Sequence, residues 1–200
     1  MSGPIPTDAG IRALHERFAP TREAFDLVYE HCEIVCRIAE QIIDRTAPDV
    51  DVALVRAGCL LHDIGVYALF LPSGDLDGAN YIRHGVLGRD MLRSAGLAER
   101  VCRFCSCHTG VGVTRADIER QALPLPPGDY TATTDEERLV MYADKFHSKR
   151  TPPVFVSATS YQRSVLRFGD DKVAVFAAMV EHYGEPDLAP LAAQYGQDIR

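Results

Sequence analysis

The sequence predicts an all-α fold, on three observations. Apolar residues recur at intervals of three and four along much of the chain, glycines at 65, 96 and 110 follow the periodic stretches, and no convincing set of alternating strands appears. The 200 residues, 46% hydrophobic and 24% charged, are enough to bury one sizeable core. One domain is expected over residues 21–185, with residues 1–20 as an N-terminal extension and residues 186–200 as a helical tail packed on it.

The elements follow in order. In TREAFDLVYEHCEIVCRIAEQIID the positions Leu27/Val28, His31, Ile34/Val35, Ile38 and Ile42 share one helical face, which makes His31 a polar intruder in a core stripe. A second helix is expected from Asp49 or Asp51 to about Asp63, with Gly65 suited to a left-handed cap. The looser LPSGDLDGANYI leads into a helix from about His84 through Leu92 that ends near Gly96, and Leu97 to His108 forms the next, stopping at Gly110. RQALPLPPGDYTATT reads as a Pro/Gly/Thr loop and Asp135 to about His147 as a helix. Beyond TPPVFVS, two helices fill Tyr161 to Tyr183 and a short one follows Pro186.

A formal net charge of -7 lacks the basic excess that coating a duplex requires, so general nucleic-acid binding is not expected. The first residues carry no basic region followed by an apolar core, and runs such as VAVFAAMV are too short to span a bilayer. A cytoplasmic protein without a membrane partner is the expectation. The six cysteines lie mostly inside helical patterns and are read as reduced, small buried side chains. Cys102, Cys105 and Cys107 in CRFCSCH lack a second ligand pair at zinc-finger spacing.

The segment RAGCLLHDIGVYALF places His62 and Asp63 side by side at the end of an apolar run. A buried carboxylate without a partner is costly or loses its charge, so the pair calls for one, and a metal ion is a candidate. His31, His84, His108 and Asp144 also fall on or at the ends of predicted core helices. Nitrogen and carboxylate ligands of this kind suit iron, manganese, cobalt or zinc, and the two oxygens of Asp63 can bridge two ions. A lone histidine on an apolar face is more often a hydrogen-bonded core residue, so the ordered set carries the argument.

That order, His31, then His62-Asp63, then Asp144, resembles the H…HD…D pattern of the HD-domain metal-dependent phosphohydrolase superfamily, and His62 to Gly65 spells the HDIG signature of one large subgroup. His84 in RHG and His108 in CHTG resemble the two extra histidines of its dinuclear members, among them the bacterial diadenosine tetraphosphate hydrolases. The resemblance spans roughly Glu23 to Arg150 and implies a single-domain helical bundle with ligands pointing inward. It implies two divalent ions, one held by His31, His62, Asp63 and Asp144 and the other by Asp63, His84 and His108. Catalytic roles fall to Asp63 and to Lys145, which stands where many relatives carry a phosphate-facing lysine; Arg83 and Arg89 are candidate substrate contacts.

The implied reaction is cleavage of a phosphate ester or anhydride of a nucleotide or small phosphorylated metabolite by a metal-activated water. The same ligands also resemble the HD-type mixed-valent di-iron oxygenases, which cleave C–C or C–P bonds, and a non-catalytic module binding metal or nucleotide is a third alternative. Val66 replaces a lysine that often follows HDIG, and the motifs of cyclic dinucleotide and stringent-response hydrolases are missing, which disfavours those two branches. The run Lys145, His147, Lys149 and Arg150 reads as a solvated helix end or a steering patch. Tyr67, Phe70, Tyr81 and the SGDLDGAN loop are candidates for a lid. A homodimer stays open.

Overall fold

Capping side chains set the helix starts. In the computed structural model, which describes residues 3–200, Thr7, Thr21 and Asp51 accept hydrogen bonds from the backbone N–H groups of Gly10, Ala24 and Leu54. They open α1 (Asp8–Phe18), α2 (Arg22–Thr46) and α3 (Val52–Leu61). Then follow α4 (His84–Ser94), α5 (Glu99–Cys107), α6 (Arg115–Gln121) and α7 (Asp135–Asp144). The chain closes with α8 (Ala158–Val165), α9 (Asp170–Tyr183) and α10 (Ala189–Tyr195).

The predicted stripe of α2 is buried at Val28, Ile34, Val35, Ile38 and Ile42, against α3 and α7. The all-α reading holds, with a small addition. Strands β1 (His147–Ser148), β2 (Val154–Phe155) and β3 (Asp198–Ile199) form one sheet, β1 antiparallel and β2–β3 parallel. Strands of two residues leave no room for the alternation by which a sequence announces them.

Val52–Leu69 is a longer apolar run than Val173–Val180: its 18 residues have a mean hydropathy of 1.5, enough by length and composition to cross a membrane. Its residues are 78% buried in the core, and the run breaks at His62-Asp63, where α3 passes into a 3-10 helix over Ile64–Leu69.

Gly65 is not the expected left-handed cap. It lies inside that 3-10 helix, and a Cβ there would stand 2.0 Å from the carbonyl of His84 and 2.3 Å from the amide of Gly88. Its requirement is therefore close backbone approach between the end of α3 and α4. Two helices outrun the sequence reading. The stretch set apart as residues 1–20 contains α1, whose Ile11 and His15 are fully buried. His15 donates from Nε2 to the Leu60 carbonyl at 2.7 Å and accepts at Nδ1 from the Tyr67 hydroxyl at 2.8 Å, tying α1 behind the His62-Asp63 corner. α6 is too short for a period to register and ends on Ala122 at φ 49 instead of a glycine.

The terminal tail packs through Leu191 and Leu188 and then enters the sheet as β3. All six cysteines are free and buried.

Candidate metal centre

Five of the six candidate ligands sit at helix ends, where the chain turns and a side chain can point into the bundle. His62 caps α3 and Asp63 follows it; His84 opens α4, His108 caps α5 and Asp144 closes α7. His31 is the exception, in mid-helix on α2. The two histidine pairs, from opposite sides, face the two oxygens of Asp63.

The side chains form two clusters, His31–His62–Asp63–Asp144 and Asp63–His84–His108, each compact enough to surround one ion. In the first, His31 Nε2 lies 3.1 Å from Asp63 Oδ2, 3.1 Å from Asp144 Oδ1 and 3.2 Å from His62 Nε2. In the second, His84 Nε2 and His108 Nε2 are 2.9 Å apart, each 3.5 Å from Asp63 Oδ1. Asp63 thus turns one oxygen to each cluster.

The donor chemistry fits metal ions. His62, His84 and His108 direct Nδ1–H at the backbone carbonyls of Cys59, Tyr81 and Phe104, at 2.7, 2.6 and 3.0 Å. In the neutral ring this leaves Nε2 as an inward lone pair, the tautomer a metal needs. Asp63 Oδ1 is buried with no hydrogen-bond partner among the described residues, so an acceptor oxygen and two imidazole lone pairs converge with no donor between them. A cation resolves that arrangement.

The electrostatics point the same way. Burial pushes His84 down to about 3 and lowers His108, so both are neutral near pH 7. Burial works against ionised Asp63 and Asp144, yet Lys149 and His62 around the first, and Lys145 beside the second, hold both carboxyls well below the usual range. Burial also opposes charge on His62, and Asp63 overcomes it, raising His62 above the ordinary histidine range. Protons and ammonium groups therefore compete with a metal for the same carboxylates.

The clusters open into a cavity of about 1010 Å³. Lys145 lines it, but its Nζ is engaged by Asp144 Oδ2 at 2.6 Å and the His108 carbonyl at 2.9 Å. Arg83 and Arg89 are not among the lining residues, and Arg89 is held by Glu99, Nε to Oε1 at 2.8 Å. Of the lid candidates, Leu76, Gly78 and Tyr81 line the cavity, whereas Tyr67 is buried against His15. Val66 forms part of the wall.

The sequence reading named Lys149 and His147 only as members of a basic run and did not find Gln197. Lys149 contacts Asp63 Oδ2, His147 stands behind His31, and Gln197 behind His147. The run from Lys145 to Arg150 is no solvated helix end, because α7 stops at Asp144 and β1 begins at His147. Arg150, Arg167 and Arg200 also line the cavity, with no carboxylate partner among the described residues. The basic run was the available signal; its strand geometry was not legible.

A helical bundle that gathers two His/Asp clusters sharing one aspartate has the donors to hold metal ions at its centre. The chain belongs to the HD domain family, whose model matches residues 28–149. It is 38% identical over 128 residues to an uncharacterised protein of Methanocaldococcus jannaschii, covering 62% of this chain and 69% of that one. It is also 35% and 34% identical to tRNA (cytidine(56)-2'-O)-methyltransferases of Picrophilus torridus and Thermoplasma volcanium, over 64% and 70% of this chain. The match spans only 33% and 36% of those two proteins. Among solved structures, the HD domain of the L. monocytogenes phosphodiesterase PgpH superposes with a TM-score of 0.52 at 15% identity, covering 92% of this chain and 98% of that domain. Its complex with cyclic-di-AMP superposes with the same TM-score at 14% identity, covering 95% and 99%. At such identities the likeness is one of fold.

Proposed function

We propose that the protein is a metal-dependent phosphohydrolase acting on a nucleotide or another small phosphorylated metabolite. The observation that carries the reading is the sharing of Asp63 between two His/Asp clusters at the floor of a cavity whose charged side chains without an ion-pair partner among the described residues are all arginines. Bound divalent ions would supply Lewis acidity and an acidified water for attack on phosphorus.

The chain's own residues do the rest. His31, His62 and Asp144 would hold one ion and His84 and His108 the other, with Asp63 contributing an oxygen to each cluster. Lys145, anchored on Asp144 and the His108 carbonyl, keeps a positive charge beside the clusters. Lys149, Arg150, Arg167 and Arg200 give a phosphorylated ligand its counter-charges, and Tyr81 and Tyr161 offer ring faces to an organic group. The cyclic-di-AMP bound by the structurally similar PgpH domain supports a nucleotide. The net charge of -7 argues against extended nucleic acid, although two relatives carry the names of tRNA methyltransferases.

The test is phosphate release over a panel of phosphorylated metabolites, after chelation and reconstitution with manganese, cobalt or iron, with and without dioxygen. Turnover that needs a divalent ion and persists anaerobically is expected. Turnover that survives thorough chelation rejects the reading. Strict dependence on dioxygen, with its consumption, replaces it by the oxygenase, and inactivity in both assays replaces it by the binding module.

A further inference from the structure

We infer that His147 and Gln197 are positioning residues for the first metal cluster, fixing the tautomer and ring orientation of His31. The inference rests on the metal-centre reading and adds residues to it. The other three histidines of the clusters satisfy Nδ1 on a carbonyl three or four residues earlier in their own segment. His31 sits within α2, where the preceding carbonyls are spent in the helix, so its Nδ1 needs a partner from elsewhere.

That partner is His147, with the two Nδ1 atoms 2.7 Å apart, ring centroids 5.0 Å apart and planes inclined by 28°. One nitrogen must donate and the other accept, and the far side of His147 decides which. His147 Nε2 lies 2.8 Å from Gln197 Oε1, and a carbonyl oxygen only accepts. The Gln197 amide is oriented in turn by Glu30, whose Oε1 accepts from its Nε2 at 3.3 Å. His147 therefore carries its proton on Nε2, its Nδ1 accepts from His31, and His31 Nε2 turns a lone pair toward Asp63, Asp144 and His62. The circuit leaves α2 at Glu30 and returns to it one residue later, at His31.

The small sheet now has a purpose. β1 carries His147, β2 bridges, and β3 begins immediately after Gln197, so the β2–β3 pairing delivers the glutamine to the histidine. Gln197 lies outside residues 28–149, and the H…HD…D pattern assigns neither residue. Partners that orient a metal-binding histidine raise affinity about 10- to 100-fold.

The experiment is calorimetric titration of the full chain with manganese, in a His84→Ala background that leaves the first cluster alone and in the unaltered protein. Gln197→Leu and His147→Ala should each weaken binding at the first cluster by about 10-fold or more and leave the His84–His108 cluster unchanged. His147→Gln, whose amide oxygen can accept from His31, should recover most of the loss, whereas His147→Leu should not. Gln197 is partly exposed, so its replacement tests the idea even where a change at His147 impairs folding. Unchanged first-cluster affinity in Gln197→Leu overturns the inference, as does equal weakening of both clusters, or a wild type that binds no manganese. Phosphate release plays no part in the readout, so a protein that binds metal normally yet hydrolyses nothing defeats the proposed function and leaves this inference standing.

Discussion

Lys149 Nζ is in direct contact with Asp63 Oδ2, which places a largely buried ammonium on the carboxylate shared by both clusters. Burial alone would lower the lysine's pKa, but Asp63 and the nearby Tyr81 raise it above the ordinary range, so it is charged at neutral pH. It balances Asp63 until a metal does.

Lys149→Met should therefore act in opposite directions on the two forms of the protein. The chelated protein, left with an uncompensated buried carboxylate, should lose about 3 kcal/mol in denaturant unfolding, while manganese should bind more tightly because its competitor is gone. Calorimetry together with chelated melts reads both. Weaker metal binding in this variant would show that Lys149 supports the ions instead of competing with them.

Removing ligands should give a graded loss of metal. His84→Ala or His108→Ala should retain about one equivalent, and Asp63→Ala, which strips a ligand from both clusters, should retain little. Elemental analysis of purified variants measures this, with circular dichroism confirming that each is folded. A wild type saturating at one ion would remove His84 and His108 from the ligand set.

Gly65→Ala should destabilise the protein by about 3 kcal/mol or more, because its Cβ would collide with backbone that cannot turn aside. Thermal denaturation compares it with Gly78→Ala, where nothing lies within 4 Å of the added carbon. Similar melting of the two variants would mean that α4 can slide away from the corner.

Asp117 predicts an acid-dependent contribution to stability. Burial raises its pKa, but Lys172, 2.5 Å from Oδ2, and the Thr114 backbone and hydroxyl bring it down to about 2. A depressed folded-state pKa stabilises fully above the unfolded value near 4, and that stabilisation disappears as the pH falls toward 2. Asp117→Asn should cost roughly 2 kcal/mol at pH 7, and the gap from wild type should close between about pH 4 and pH 2. A gap constant across that range would assign the loss to packing.

The six candidate ligands were legible because histidine and aspartate stand out against apolar helical stripes: His31 interrupts one, and His62-Asp63 ends another. Their order along the chain then did what no single residue could. The supporting groups were hidden for a physical reason. His147 and Gln197 are 50 residues apart, joined by strands too short to leave a period. Lys149 reads as solvated when α7 is extended to His147, and the same error of three residues conceals the turn that sends it inward. Gly65 reads as a left-handed cap and is instead a point of close backbone approach, since sequence shows a missing side chain and not which backbone fills its place.

Among the described residues Arg150, Arg167 and Arg200 line the cavity without carboxylate partners, in a chain whose formal charge is -7. An approaching anion meets a net negative chain, but at the cavity mouth it meets three uncovered arginines that draw it in. The bimolecular capture rate should then fall as ionic strength rises and the field is cut off within about 10 Å, while a neutral analogue of the same size should be captured at a rate indifferent to salt.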